Sequence, residues 1–259
     1  MIAEELLRIT HENVGIDPLY LRNLLKEQLQ FYVLNFIYSS GWGENLLFKG
    51  GSCLRMFFAL PRLSEDLDLD IQREKSFNLK DFVSDLEKYF SETLQDREVK
   101  ITASAKGNIV KLKFPVHGKK ILFLRIDFGR AVGKKYKVEL SLKSTYDFSF
   151  LVRRYALPDL FSGKLAAILG RTARVKGRDY FDLAWFLEKK IAPNFCYLRE
   201  ITAVRSKAEL KRKVTEKVKK LDLRILRDDL APLFRDKNFA HNFVASYKEV
   251  TLNLLSQAF

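Results

Sequence analysis

The chain has 259 residues, 47% hydrophobic and 30% charged, with 46 Lys and Arg against 32 Asp and Glu for a formal net charge of +14. The hydrophobic share excludes wholesale disorder, and two distant cysteines, Cys53 and Cys196, exclude a disulfide scaffold or a multi-cysteine zinc site. The histidines, His11, His117 and His241, lack metal-ligand spacing, which argues against a zinc hydrolase, and the surplus positive charge favours a polyanionic partner.

The amino terminus, MIAEELLRITHENVG, is polar and partly acidic, unlike a secretory signal. No apolar run approaches the ~20 residues that span a bilayer, so a cytoplasmic protein with no membrane contact is expected. Apolar residues recur at helical spacing from Pro18 to Tyr38, and Gly41 and Gly43 stop that helix. The run Leu46 to Phe48, the turn Gly50-Gly51-Ser52 and the segment Cys53 to Leu60 read as strand, tight turn and helix, which Pro61 ends. Leu67, Leu69 and Ile71 alternate with acids as in a strand. Asn78 to Leu94 predicts an amphipathic helix. Val99 to Ala103, Ile109 to Val116 and Ile121 to Phe128 predict a meander of antiparallel hairpins, with turns at Gly107-Asn108 and Gly118-Lys119. A further strand is expected near Tyr136 to Leu142. From Pro158 the pattern is helical, over Pro158 to Leu169, Arg178 to Lys189 and several basic segments reaching Ala258. These elements predict an α+β chain, with a mixed β-sheet flanked by helices over residues 1–155 and a helical domain over 156–259.

One stretch carries chemistry. Lys49-Gly50-Gly51-Ser52 lets the backbone approach an anion closely, and Ser52 is placed to cap the next helix, whose free N–H groups and dipole attract phosphate. Asp66 and Asp68, two apart on a strand, leave the same face and repel unless a cation sits between them. Such oxygen ligands suit Mg²⁺, which takes the rest of its shell from water and phosphates. A lone Gly-Gly-Ser is usually only a turn, and a lone Asp-x-Asp usually a solvated strand face. Their order and separation put an anion site and a metal site together.

This arrangement resembles the nucleotidyltransferase superfamily of DNA polymerase beta, whose signature is Gly-Ser or Gly-Gly-Ser/Thr, a short helix, then Asp-x-Asp. More narrowly, KGGSCLRMFFALPRLSEDLDLDI looks like the AbiEii toxin family, with Arg62, Ser64, Asp66 and Asp68 at its Arg-x-Ser-x-Asp-x-Asp positions. A second block, FSGKLAAILGRTARVKGRDYFDLAWFL, extends the likeness through Lys164, Arg171, Arg178, Asp179, Asp182 and Leu183. Taken without the family, Lys164, Arg171 and Arg178 are seven apart and lie near one face of a continuous or closely hairpinned helix, able to grip a triphosphate or a nucleic-acid backbone. The plainer alternative is a solvated helix whose charges pair within turns. Asp179 and Asp182 are expected to pair with Arg178 or to orient Lys164.

The resemblance implies a third carboxylate on a neighbouring strand. In ILFLRIDFGR, Asp127 is the candidate, with Asp70 the competitor because it shares a face with Asp66 and Asp68. The implied reaction is nucleotidyl transfer from a nucleoside triphosphate (NTP). Lys49, Gly50, Gly51 and Ser52 would hold phosphates, and Asp66, Asp68 and Asp127 would bind Mg²⁺ or Mn²⁺. Lys164, with Arg171 or Arg178, would neutralise charge on the leaving group. The resemblance also implies a toxin–antitoxin role, an RNA acceptor such as the 3′ end of tRNA, and a cognate antitoxin. The rivals are a small-molecule or protein acceptor, a nucleotide- or RNA-binding module without turnover, and a Mg²⁺-dependent nuclease. Trp42, Trp185, Cys53 and the phenylalanines read as packing. The run Lys211-Arg212-Lys213 with Lys217, Lys219 and Lys220 reads as a nucleic-acid track or a solvated helix face.

Overall fold

The structure, a computed structural model, describes residues 2–72, 76–93, 100–104, 108–116, 120–145, 148–171 and 175–258. His117, the Gly118-Lys119 turn, Gly107, Val99 and Leu94 lie outside the described residues. The chain divides into two compact units, Met1–Ala131 with Val138–Arg154, and Val132–Lys137 with Tyr155–Phe259. No helix among the described residues is long and apolar enough to cross a membrane.

The first unit runs α1 (Ile2–Glu12), α2 (Pro18–Ser39), β1 (Leu46–Lys49), α3 (Gly50–Phe58), β2 (Asp66–Ile71), α4 (Leu79–Lys88), β3 (Lys100–Ser104), β4 (Ile109–Val116), β5 (Lys120–Arg130), β6 (Val138–Ser144) and β7 (Ser149–Tyr155). Asp17 starts α2 by accepting from the backbone N–H groups of Leu19 and Tyr20, with Pro18 in the first turn where its missing N–H costs nothing. Asn78 caps α4 in the same way through the N–H of Lys80. The helix expected over Asn78 to Leu94 gives way to a π-helical turn at Tyr89–Thr93.

The strands form one mixed sheet in the order β3-β4-β5-β2-β1-β7-β6. β3, β4 and β5 are the expected antiparallel meander, and Asn108 turns its first corner in the left-handed region at φ 49°. β5 then runs parallel to β2, which is antiparallel to β1. One face of these central strands is apolar and buried: Leu67 and Leu69 of β2 lie level with Ile126 and Phe128 of β5. α2 packs on β5, and the rings of Phe36, Phe82 and Phe128 make successive edge-on contacts beneath the sheet. The opposite face of β2 is left to its aspartates.

The α+β class agrees with the sequence reading, but three elements do not. α1 was not expected, β6 starts two residues after Tyr136, and β7 was missed. β7 buries Phe150, Val152 and Arg154 on alternate positions, yet Leu151 is exposed between them and blurs the two-residue period.

The second unit holds α5 (Leu157–Gly170), α6 (Gly177–Glu188), α7 (Phe195–Ile201), α8 (Lys207–Lys220), α9 (Leu223–Leu230) and α10 (Lys237–Ala258). α5 packs against α6, α7 and α8, while α6 packs against α9 and α10. Phe161 stacks on Phe186 with ring centres 4.4 Å apart, and the buried Tyr247 hydroxyl donates to the Tyr180 carbonyl. Residues 132–137 join this unit through hydrogen bonds. Glu200 accepts from the N–H groups of Lys134 and Lys135, and Asp159 accepts from that of Lys137.

Candidate active site

The strand–turn–helix at β1 and α3 begins with an extended Lys49 in the N-cap position, followed by Gly50 at φ 80°. That φ is one an L side chain rarely adopts. The Asp68 carboxylate also occupies the space that a Cβ on Gly50 would fill. Glycine therefore brings the first turn of α3 directly against an acid of β2. A side chain on Gly51 would in turn press on the Arg62 guanidinium and the Ser64 hydroxyl, both at 2.8 Å. Arg62 and Ser64 are buried, Arg62 donates to the Leu63 carbonyl, and Gln30 donates to the Ser64 carbonyl. These two positions support the turn from within.

Ser52 departs from its expected place. It lies inside the first turn of α3, fully buried, and its hydroxyl donates to the Asp66 backbone carbonyl. The helix begins at Gly50 because the positive φ there already turns the chain, which makes a serine cap unnecessary. The Ser52 hydroxyl ties α3 to β2, while the N–H groups of the first turn keep no helical partner of their own.

Asp66, Asp68 and Asp70 share one face of β2, as their spacing requires. Parallel pairing sets Asp66 level with Arg125, Asp68 with Asp127, and Asp70 with Gly129. Asp68 and Asp127 are therefore neighbours across strands about 4.8 Å apart, on one face. Asp66, Asp68 and Asp127 are half-buried. Asp70 is different: it is 4% exposed and ion-paired with Lys49 at 2.6 Å. Of the two candidates for a third carboxylate, Asp127 stands beside Asp68 and Asp70 is engaged by a lysine.

Arg125 received no role from the sequence. Its guanidinium donates to the Asp127 carboxylate at 2.6 Å. That bond, followed by attraction to Asp127, Asp66 and Asp68, holds it above the ordinary arginine range. Face alternation in ILFLRIDFGR already put Arg125 on the side of Asp127, but only the strand pairing reveals that Asp66 is its cross-strand neighbour.

The donor set fits a hard divalent cation in kind, since three carboxylates lie on one face with a helix N-terminus beside them. It is not gathered, however. No group of three or more Asp, Glu, His or Cys side chains among the described residues is arranged to hold a metal ion. Asp127 is turned onto Arg125 instead.

In the helical unit, the second block does not form one continuous helix, because α5 ends at Gly170 and α6 starts at Gly177. Lys164 and Arg171 nevertheless converge. Lys164 Nζ lies 2.9 Å from Asp179 and 2.6 Å from Asp182, and Arg171 pairs with Asp179. The Asp182 side chain is fully buried and that of Lys164 is 13% exposed. Both acids thus contact Lys164. Arg178 stands half-buried in the first turn of α6.

Other residues take structural places. Burial pushes the Cys53 thiol far up, Trp42 donates to Asp85, and Trp185 packs edge-on to Phe186. On α8, Arg212 pairs with Glu216 and Lys213 with Glu209. Lys211 and Lys217 donate to the carbonyls of Ser256 and Arg171. Lys211 and Lys217 thereby tie α8 to α10 and to the end of α5, while Arg212 and Lys213 pair within the helix.

Two solved structures share the fold. One, from H. pylori and assigned as a nucleotidyltransferase, is 16% identical, with 92% of this chain and 97% of that one covered at a TM-score of 0.50. The other, the Helicobacter pylori protein JHP933, is 15% identical over 94% and 96% of the two chains, also at 0.50. No curated protein matches the chain. The family model described as nucleotidyl transferase AbiEii toxin, type IV toxin–antitoxin system, matches residues 34–250, and the chain belongs to that family of nucleotidyltransferases.

Proposed function

We propose that the protein moves a nucleoside monophosphate from an NTP to the 3′ hydroxyl of an RNA, in the manner of a tRNA-modifying toxin held in check by a cognate antitoxin. The observation that carries this reading is the register of β2 and β5, which aligns Asp68 with Asp127 while Gly50 seats the start of α3 on Asp68. An anion cradle and an acid cluster then meet at one place. The charge of +14 supports an RNA acceptor, which a small molecule would not require. The cytoplasm, where NTPs and tRNA meet, is the expected compartment.

The acceptor oxygen attacks the α-phosphorus, a new P–O bond forms, and the bond to the bridging oxygen of pyrophosphate breaks. In this reading the backbone N–H groups of Gly50, Gly51 and Ser52 hold the β- and γ-phosphates. Asp66, Asp68 and Asp127 would hold Mg²⁺ or Mn²⁺, which when bound stabilises the entering and leaving oxygens. Asp127 accepts the proton of the acceptor hydroxyl. Lys49, fixed by Asp70, adds positive charge beside the cradle. Lys164, oriented by Asp179 and Asp182, serves with Arg171 or Arg178 to balance charge on the departing pyrophosphate. On this reading residues 1–155 form the polymerase beta-like domain, and 156–259 contribute its basic residues.

Incubation with each labelled NTP and total RNA, followed by sequencing of RNA 3′ ends, tests the reading. Added nucleotides on a defined RNA class, with label removed by nuclease and not by protease, are expected. Label that resists nuclease, or no pyrophosphate release with any NTP, would overturn the RNA acceptor or the chemistry respectively.

A further inference from the structure

Arg125 sits where two strands set its surroundings by register. Asp66 of β2 is level with it on one side and Lys111 of β4 on the other. A like charge beyond and an acid before it drive the guanidinium toward the aspartates. It reaches Asp127, two residues along its own strand, at 2.6 Å. Its side chain is 46% exposed, so turning away from Asp127 into water is inexpensive. A buried arginine would be part of the wall, whereas this one can leave.

We infer that Arg125 is a built-in counter-ion that competes with a divalent cation for Asp66, Asp68 and Asp127, so that metal entry requires it to release Asp127. The inference rests on the proposed reading of these acids as metal ligands. It accounts for the acids sharing a face without being gathered: the third carboxylate is occupied by a tethered cation. It also gives the site an order of events. A bare divalent ion must displace Arg125 unaided, while an incoming triphosphate offers the released guanidinium a new anion to face. Occupation of Asp127 is thereby coupled to arrival of the nucleotide, and Arg125 acts as a positioning residue through Asp127.

The test is Mn²⁺ titration of the full chain, followed by electron paramagnetic resonance with no nucleotide present. Arg125→Met, which keeps length and removes charge, should lower the Mn²⁺ Kd about tenfold, the size expected for removing one cation several ångströms from a dication in high dielectric. Arg125→Lys, which restores the charge, should bind close to wild type. Asp68→Asn serves as the control and should lose binding. Were Asp68→Asn to abolish binding while Arg125→Met left the Kd unchanged or raised it, this inference alone would fall. Absence of binding in both wild type and Arg125→Met would overturn the inference together with the metal-dependent reading on which it rests.

Discussion

The two units each bring acids and cations together, and they do so in opposite ways. On the sheet, Asp66, Asp68 and Asp127 all attract the Arg125 guanidinium and stand half-exposed. In the helical unit, Lys164 and Arg171 meet Asp179 and Asp182 with both carboxylates almost wholly buried. The first cluster lies within reach of solvent, where a charged group can exchange one partner for another. The second is balanced, and burial makes each member dependent on the others. On the proposed function, the half-exposed sheet cluster is the one open to exchange for a metal ion, while the buried helical cluster orients Lys164.

Removing charge from the sheet cluster should sharpen the contrast most. Asp68→Asn is expected to lower nucleotidyl transfer at least about 10³-fold while leaving the urea midpoint near wild type, because neutralising a half-buried acid among like-charged neighbours costs the fold little. Retained turnover with Asp68→Asn would remove the sheet cluster from the chemistry altogether.

The helical cluster should answer with stability. Asp182→Ala removes the fully buried carboxylate 2.6 Å from Lys164 Nζ, and about 3 kcal/mol should be lost in urea unfolding. Pairing it with Lys164→Met removes the lysine charge and should recover most of that loss. Activity separates the roles. If Lys164 serves the triphosphate, the double variant will be stable and inactive; a stable and fully active double variant would show the cluster to be structural only.

Much of this division was legible in the sequence. Asp-x-Asp on a strand dictates a shared face, and Gly-Gly before a helix dictates a close backbone approach. What the sequence could not show was register. Asp127 and Asp70 remained rivals because only the parallel pairing of β2 with β5 tells which one stands beside Asp68. Arg125 received no role for the same reason, since its cross-strand neighbour Asp66 lies nearly 60 positions away. Ser52 was misplaced as a cap because a positive φ at Gly50 starts the helix earlier than residue preferences indicate. β7 was lost to an exposed leucine, although β1 lies between it and β2.

The turn that joins cradle to acids gives a smaller, mixed effect. In Gly50→Ala the new Cβ meets a left-handed backbone and the Asp68 carboxylate together. Strain of about 1–2 kcal/mol is expected. Transfer should fall about 100-fold, since even a 1 Å displacement of a reacting group has that cost. A stability loss with unchanged kcat would mean that Asp68 can shift without consequence, and would weaken the claim that cradle and acid act as one.

An exposed charge in the helical unit sets the lower limit of the comparison. Glu200 is held below the ordinary glutamate range by the backbone N–H groups of Lys135 and Lys134, and it is open to solvent. A depressed carboxyl contributes stability that is fully present above its unfolded value and is lost as pH falls through the folded one. Glu200→Gln keeps an acceptor oxygen for those N–H groups and removes the titration. The urea midpoint should therefore change little at neutral pH, and its decline between about pH 5 and pH 3 should become slightly shallower. If this solvent-screened tie proved as costly to remove as Asp182, burial would not be what distinguishes the structural acids from the rest, and the contrast between the units would have to be sought in their partners instead.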